Sequence, residues 1–167
     1  VKKIGLLSDT HGTLIPRVFS FFEDCDFIWH AGDIGNLETL DKLQNFKPTT
    51  AVYGNIDDTT VRKACNEIAV FRCEGVKVVM THIGGYPGRY TPLAKTLIRK
   101  ENPQLFVAGH SHILKVMYDN THQLLYINPG AAGNSGFHHV MTMIKFNIDK
   151  DQITDLEVLE IDRKGKG

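Results

Sequence analysis

The feature that most constrains this chain is a unit that repeats: an apolar run of strand length, a cluster of polar residues, then apolar positions at helical spacing. Ile4 to Ser8 reads as a strand ending in Asp9-Thr10-His11, after which Leu14, Ile15, Val18, Phe19 and Phe22 fall on one helical face. Asp26 to His30 reads as a second strand ending in His30-Ala31-Gly32-Asp33, and Asn36 then caps a helix with an inner face of Leu37, Leu40 and Leu43. Pro48 to Tyr53 reads as a third strand, ending in Gly54-Asn55-Ile56-Asp57. Alternating strands and helices imply parallel strands with right-handed crossovers, so the carboxyl ends of the strands line one edge of the sheet. Open α/β sheets bind ligands at that edge.

The second half changes character. Ile68 to Cys73 and Val76 to Thr81 flank Glu74-Gly75 as a hairpin, and the second of them leads into His82. Thr91 caps a helix with Pro92 at its first position, Leu93, Leu97 and Ile98 apolar, and Asn102-Pro103 as its stop. Leu105 to Ala108 is a buried strand leading into Gly109-His110-Ser111-His112. From Leu114 onward three or four strands follow, with turns at Asp119 to His122 and Asp149 to Asp151 and no helix. Parallel units followed by an antiparallel run predict an α/β architecture: two packed mixed β-sheets flanked by helices, in a single domain over 1–167. Only the tail from Asp162 to Gly167 reads as mobile.

Composition narrows the chemistry. With 167 residues and 42% hydrophobic content, the chain can build a core without disulfides or a structural metal, so a metal site here is available for chemistry. Lys plus Arg (19) equals Asp plus Glu (19) and the charges are scattered, which disfavours an obligate nucleic-acid partner. Cys25, Cys65 and Cys73 are odd in number and lack Cys-x-x-Cys spacing, fitting structural thiols in a reducing compartment. No apolar run approaches a membrane span and the N-terminal apolar stretch is too short for a signal peptide, so the expectation is a cytoplasmic protein without a membrane partner. A homo-oligomer is open.

Five clusters therefore follow five apolar strands: Asp9 and His11, Asp33, Asn55 and Asp57, His82, and His110 with His112. Two carboxylates, four imidazoles and an amide oxygen suit a pair of adjacent divalent cations, with Mn, Zn, Fe and Ni all compatible. Without a cation, clustered imidazoles and acids repel or require costly desolvation. The spacing of Asp9 and His11 places both on one face of a strand end, where they can reach one ion.

This series resembles the signature of the calcineurin-like metallophosphoesterases, and the short length without an inserted cap resembles the small bacterial and archaeal phosphodiesterase branch called YfcE-like. The resemblance implies one metal on Asp9, His11, Asp33 and His112, and a second on Asp33, Asn55, His82 and His110, with Asp33 bridging. It implies hydrolysis of a small-molecule phosphodiester by a metal-bridging hydroxide, with catalytic roles for Asn55, Asp57 and His82. Asn55 ligates through its carbonyl oxygen and leaves its amide hydrogens for the substrate phosphate, and Asp57 orients a neighbour. Two positions depart from the family. The commonest third motif has a histidine, thought to protonate the leaving group, where this chain has Ile56; and Ile83 stands where a glycine is usual, which predicts crowding beside the second metal. The alternative on the same fold is a non-catalytic interaction scaffold of the Vps29 type, the retromer subunit.

Other residues carry less. His30 reads as packed or as a partner of Asp33, His122 as a solvated turn residue, and His138 and His139 as ambiguous. Asn128 to Gly130 reads as scaffold. In the loop Ile83 to Tyr90, Arg89 either meets a substrate phosphate oxygen, with Tyr86 or Tyr90 stacking on a ring, or is an exposed residue of a Gly-Pro turn.

Overall fold

The structure, a computed structural model, describes residues 1–137 and 139–163; His138 and the last four residues of the tail lie outside it. In chain order the elements are β1 (Lys2–Leu7), α1 (Pro16–Phe21), β2 (Phe27–His30), α2 (Leu37–Phe46), β3 (Thr49–Ala51), α3 (Thr59–Ala64) and β4 (Ile68–Cys73). They continue with β5 (Val76–Thr81), α4 (Pro92–Glu101), β6 (Leu105–Val107), β7 (Leu114–Asp119), β8 (Leu124–Pro129), β9 (Val140–Asp149) and β10 (Gln152–Asp162). They form two five-stranded mixed sheets, ordered β10-β9-β1-β2-β3 and β4-β5-β6-β8-β7.

Strand alternation builds the layers. Ile4, Leu6, Trp29, Val78, Met80, Leu105 and Val107 point between the sheets and make the central core. Their neighbours point outward: Leu7 and Ile28 meet Val18, Phe22 and Leu43 of the first helical layer, while Val79 and Phe106 meet Ala94, Leu97 and Ile98 of α4. Gly5 also belongs to this outer face, because a Cβ there would lie 2.7 Å from the Phe22 ring.

The helices form where caps and apolar stripes agree. Asn36 Oδ1 accepts the Thr39 N–H at 2.9 Å and opens α2, and Thr91 Oγ accepts the Ala94 N–H to open α4. Asn102 closes α4 in the left-handed conformation at φ 48°. The sequence reading missed α3, which is six residues long and buries only Val61, leaving no stripe to detect. The C-terminal strands also differ from a simple antiparallel run. β8 pairs parallel to β6 in the second sheet, whereas β9 returns to the first and pairs antiparallel to β1. β9 is buried on both faces, with Ile144 and Phe146 in the central core and Met143 under the helices, so it needs a central position.

Cys25 and Cys73 are buried and Cys65 partly so, all as free thiols. Burial pushes Cys25 and Cys65 up to about 11, which leaves them unreactive near neutrality. Among the described residues no helix is long and apolar enough to cross a membrane.

Candidate metal centre

The loops beyond β1 and β2 interlock before they present any side chain. Ala31 N–H donates to Leu7 O, Asp9 N–H to Gly32 O, His11 N–H to Asp33 O and Gly12 N–H to Ile34 O, at 2.8–3.0 Å. This ladder carries Asp9, His11 and Asp33 as a unit, but the backbone is not extended there. Asp9 (φ 54°), His11 (48°) and Asp33 (54°) are left-handed, as are His110 (73°) and His112 (63°). The expectation that Asp9 and His11 share a strand face is therefore corrected: β1 ends at Leu7, and left-handed turns aim the two side chains. Such backbone costs about 1–3 kcal/mol per non-glycine residue, least for residues such as Asp and His, and it collects at functional sites.

Each carboxylate has one oxygen held by the scaffold and one turned to the cluster. Asp9 Oδ2 accepts Ser8 Oγ–H at 2.6 Å and the His110 N–H at 3.1 Å. Its Oδ1 lies 3.2 Å from His112 Nε2, 3.8 Å from His82 Nε2 and 3.9 Å from His11 Nε2. Asp33 Oδ1 accepts the Ile56 N–H at 3.1 Å, while its Oδ2 stands 3.2 Å from His82 Nε2 and 3.5 Å from His11 Nε2. His82 Nδ1–H donates to Ala31 O at 2.8 Å, which turns the Nε2 lone pair toward the carboxylates.

Two groups emerge, Asp9 with His11 and His112, and Asp33 with His82 and His110, the ligand atoms in each lying within 4.8 Å of one another. Asn55 Oδ1 joins the second, 3.1 Å from His110 Nδ1. Asp33 Oδ2 faces a histidine of both groups, the placement a bridging carboxylate requires. Asp9 Oδ1, His11 Nε2 and His82 Nε2 are buried and make no hydrogen bond among the described residues. Two of these orphaned atoms, His82 Nε2 and His11 Nε2, lie 3.8 and 3.9 Å from the third, Asp9 Oδ1; each costs roughly 1–3 kcal/mol unless something cationic satisfies it, so the donor set fits divalent cations. Burial raises the Asp9 and Asp33 carboxyls, but His112, His82 and Ser8 outweigh it for Asp9, and His82 with the Ile56 N–H for Asp33, holding both below the ordinary carboxylate value. Burial lowers His82, yet Asp33 and Asp9 raise it above the ordinary imidazole value.

Supporting groups fix the loops. His30 is fully buried; its Nδ1 accepts the Gly32 N–H, its Nε2–H donates to Thr10 Oγ, and that hydroxyl donates to Ile34 O. Burial pushes His30 down to about 4, so it stays neutral and acts as a strut between the first two loops. Asp57 does not face the cluster. Its carboxylate accepts the backbone N–H groups of Ile34, Gly35 and Gly54, tying the Asp33 loop to the Asn55 loop. Asn128 Nδ2 donates to Gly109 O and Ser111 Oγ and braces the His110–His112 loop. Glycines allow the closest approaches: a Cβ on Gly32 would meet the His82 ring at 2.6 Å, and one on Gly54 would meet Asp33 Oδ1 at 2.0 Å.

A cavity of about 310 Å³ opens beside the second group, lined by Tyr53, Asn55, Arg62, His82, Ile83 and Leu93 among others. Arg62 supplies its positive charge, and no sequence signal marked that residue, which sits on the unrecognised α3. Arg89 is exposed and is not among the lining residues of this cavity. Ile83 turns outward, 41% exposed, and lines the cavity mouth instead of crowding the cluster. His122 is a hydrogen-bonded residue, its Nδ1–H donating to Asp119 Oδ2 at 2.8 Å.

Residues 3–151 match the family model of the calcineurin-like phosphoesterase superfamily domain. A probable metallophosphoesterase of Methanothermobacter thermautotrophicus is 31% identical over 137 residues, covering 77% of this chain and 76% of that protein. Among solved structures, wild-type Vps29 of Entamoeba histolytica complexed with Zn²⁺ superposes with a TM-score of 0.73 at 18% identity, covering 97% of this chain and 99% of that one. A conserved uncharacterized protein of Streptococcus pneumoniae, a predicted phosphoesterase, superposes with a TM-score of 0.72 at 20% identity, covering 98% and 91%. At these identities the structural likenesses speak to the fold alone.

Proposed function

The chain belongs to the calcineurin-like phosphoesterase superfamily, and on that premise we propose that it hydrolyses small-molecule phosphodiesters with two divalent cations. The observation that carries this reading is the convergence of Asp9 Oδ1, His11 Nε2 and His82 Nε2, buried and without hydrogen-bond partners. Asp9, His11, Asp33 and His112 would hold one ion and Asp33, Asn55, His82 and His110 the other. Bound ions would supply Lewis acidity, making a bridging water hydroxide-like near neutrality and polarising the phosphoryl oxygen. The chain's own residues do the rest. Asn55 offers its amide hydrogens to the phosphate, and Arg62 brings a cation to the adjoining cavity. Ile56, 45% exposed beside Asn55, cannot protonate a leaving group. Diesters with good leaving groups are therefore favoured, since general-acid assistance worth about 10²–10⁴-fold matters most for basic alkoxides. Three free thiols, two buried and Cys65 partly so, fit a cytoplasmic setting.

The likeness to Vps29 supports a second reading, an interaction scaffold that keeps its ions without turnover. Metal content alone does not separate the two, because the Entamoeba protein was itself crystallised with Zn²⁺. Elemental analysis of the purified protein, coupled to assays on a panel of phosphate mono- and diesters with Mn, Zn, Fe or Ni, does. Hydrolysis of diesters over monoesters is the expected result; tight ions with no hydrolysis of any ester would transfer the case to the scaffold.

A further inference from the structure

A separate cavity, of about 330 Å³, lies between α4 and the turn that follows β7, within the roughly 300–1,000 Å³ range of small-molecule sites. None of its lining residues is a proposed metal ligand or borders the Arg62 cavity. Along β7 it is remote from the cluster. The strand leaves the His110–His112 loop at Leu114 and reaches Asp119, at the cavity, roughly 17 Å further on at about 3.4 Å per residue.

The floor of this cavity is fixed. Tyr90 and Asp119 are both buried. Asp119 Oδ2 accepts Tyr90 OH at 2.7 Å and His122 Nδ1–H at 2.8 Å, and its Oδ1 accepts the N–H groups of Thr121 at 2.9 Å and His122 at 3.2 Å. Four donors fill the acceptor capacity of a carboxylate, so its charge is engaged inside the turn. The Tyr90 and His122 rings meet edge to face with centroids 5.7 Å apart, which holds His122 at the wall.

The rim is cationic. Lys95 and Arg99 stand four residues apart on α4, both exposed and both lining the cavity. Neither side chain has an ion pair or hydrogen bond among the described residues. Helix stability does not explain Lys95, which repels Arg99 at this spacing and lies in the turn that begins at Pro92, the positive end of α4. Thr121 adds a hydroxyl, and His122 keeps Nε2 as its remaining polar atom. A guanidinium fork, an ammonium and a hydroxyl offer more donors than the two oxygens of a carboxylate use, and they suit the three terminal oxygens of a phosphoryl group.

We infer that this cavity is a second ligand site, which takes a phosphoryl group, free or carried on a small polar molecule, between Lys95 and Arg99 on one side and Thr121 and His122 on the other. The site shares no residue with the metal cluster and does not rest on the phosphodiesterase reading.

The test is an amide NMR titration of the intact chain, with and without added Zn²⁺, in which Lys95, Thr121 and His122 report the cavity while His82 and His110 report the metal centre. The probes are inorganic phosphate, the non-hydrolysable phosphonate isostere of ribose 5-phosphate, ribose and acetate. Both phosphoryl probes are expected to shift the cavity amides saturably, with ribose inert and acetate weaker by about tenfold, the value of one charge-assisted bond. A tighter phosphonate identifies a carried phosphoryl group, and equal affinities identify free phosphate. Lys95→Gln and Arg99→Gln are each expected to weaken binding by about tenfold. Lys100→Gln makes the same charge change on α4 outside the cavity and is expected to alter binding by less than about twofold. Equal losses in all three variants, acetate bound as tightly as phosphate, or cavity amides that stay still in the presence of both phosphoryl probes would overturn the inference.

Discussion

Replacing Asp57 separates the scaffold of the site from its chemistry. The carboxylate is 3% exposed; its Oδ2 accepts the Ile34 N–H at 3.1 Å and the Gly54 N–H at 2.8 Å, and its Oδ1 accepts the Gly35 N–H at 2.8 Å. Asp57→Ala orphans all three donors. Those of Ile34 and Gly54 are buried and cost about 1–3 kcal/mol each, while that of Gly35 is partly exposed and can turn to water, so the loss is about 2–6 kcal/mol. Asp57→Asn behaves differently, because an amide with its oxygen at the Oδ2 position keeps both buried bonds and sets its NH₂ against the Gly35 N–H. Its loss is about 1 kcal/mol. Urea unfolding of the metal-free chain gives both numbers directly, and metal titration of each folded variant shows whether loosening the Asp33 and Asn55 loops weakens ion binding, by about 10–100-fold for outer groups of this kind. Two variants with equal stability, or Asp57→Ala within 1 kcal/mol of the parent, would refute the idea that this carboxylate clamps the two loops.

Three further outcomes are expected. The buried His30 titrates at about 4 in the folded chain against 6.5 unfolded, so the neutral ring is favoured by folding; stability is full above 6.5 and falls with pH toward 4, by up to about 3 kcal/mol. Denaturation midpoints between pH 7 and 4 should therefore decline more steeply for the parent than for His30→Gln, and parallel declines would exclude His30 as the cause. His112→Ala should lower the metal content by elemental analysis from about two ions per chain to about one, and Asp33→Ala to about none, because Asp33 Oδ2 stands 3.5 Å from His11 in the first group and 3.2 Å from His82 in the second; loss of a single ion in Asp33→Ala would contradict the bridge. Ile56→His should accelerate cleavage of diesters with alkyl leaving groups on the order of 10²-fold and change activated aryl diesters little, read as kcat for the two classes; equal effects would show that the ring donates no proton.

The layered fold was legible because strand alternation and helix caps act locally: Ile4, Leu6 and Leu7, or Asn36 before Leu37, announce their layers within a few residues. The return of β9 to β1 was not, since Ile144 and Phe146 advertise burial without naming a partner more than a hundred residues away. The cluster residues stood out as polar side chains at strand ends, but their left-handed backbone did not, because Asp and His look the same in sequence whatever their φ. Arg62 escaped because α3 buries only Val61 and offers no stripe, and Asp57 was visible as an acid whose task, saturating three main-chain donors, depends on loops distant in sequence. Arg89 drew attention as a cation in a loop after a candidate ligand; proximity along the chain said nothing about which way the side chain leaves the turn.

The interlocked ladder between the first two loops also bears on the order of events as the protein matures. Because Asp9, His11 and Asp33 are carried by main-chain bonds between the first two loops, three of the seven proposed ligands are set when the first sheet is, and metallation becomes capture by a largely ready receptacle. Loading should then be quick, proceed after synthesis, and tolerate exchange of one transition ion for another without refolding, so that the occupant reflects the ions on offer in the surrounding medium.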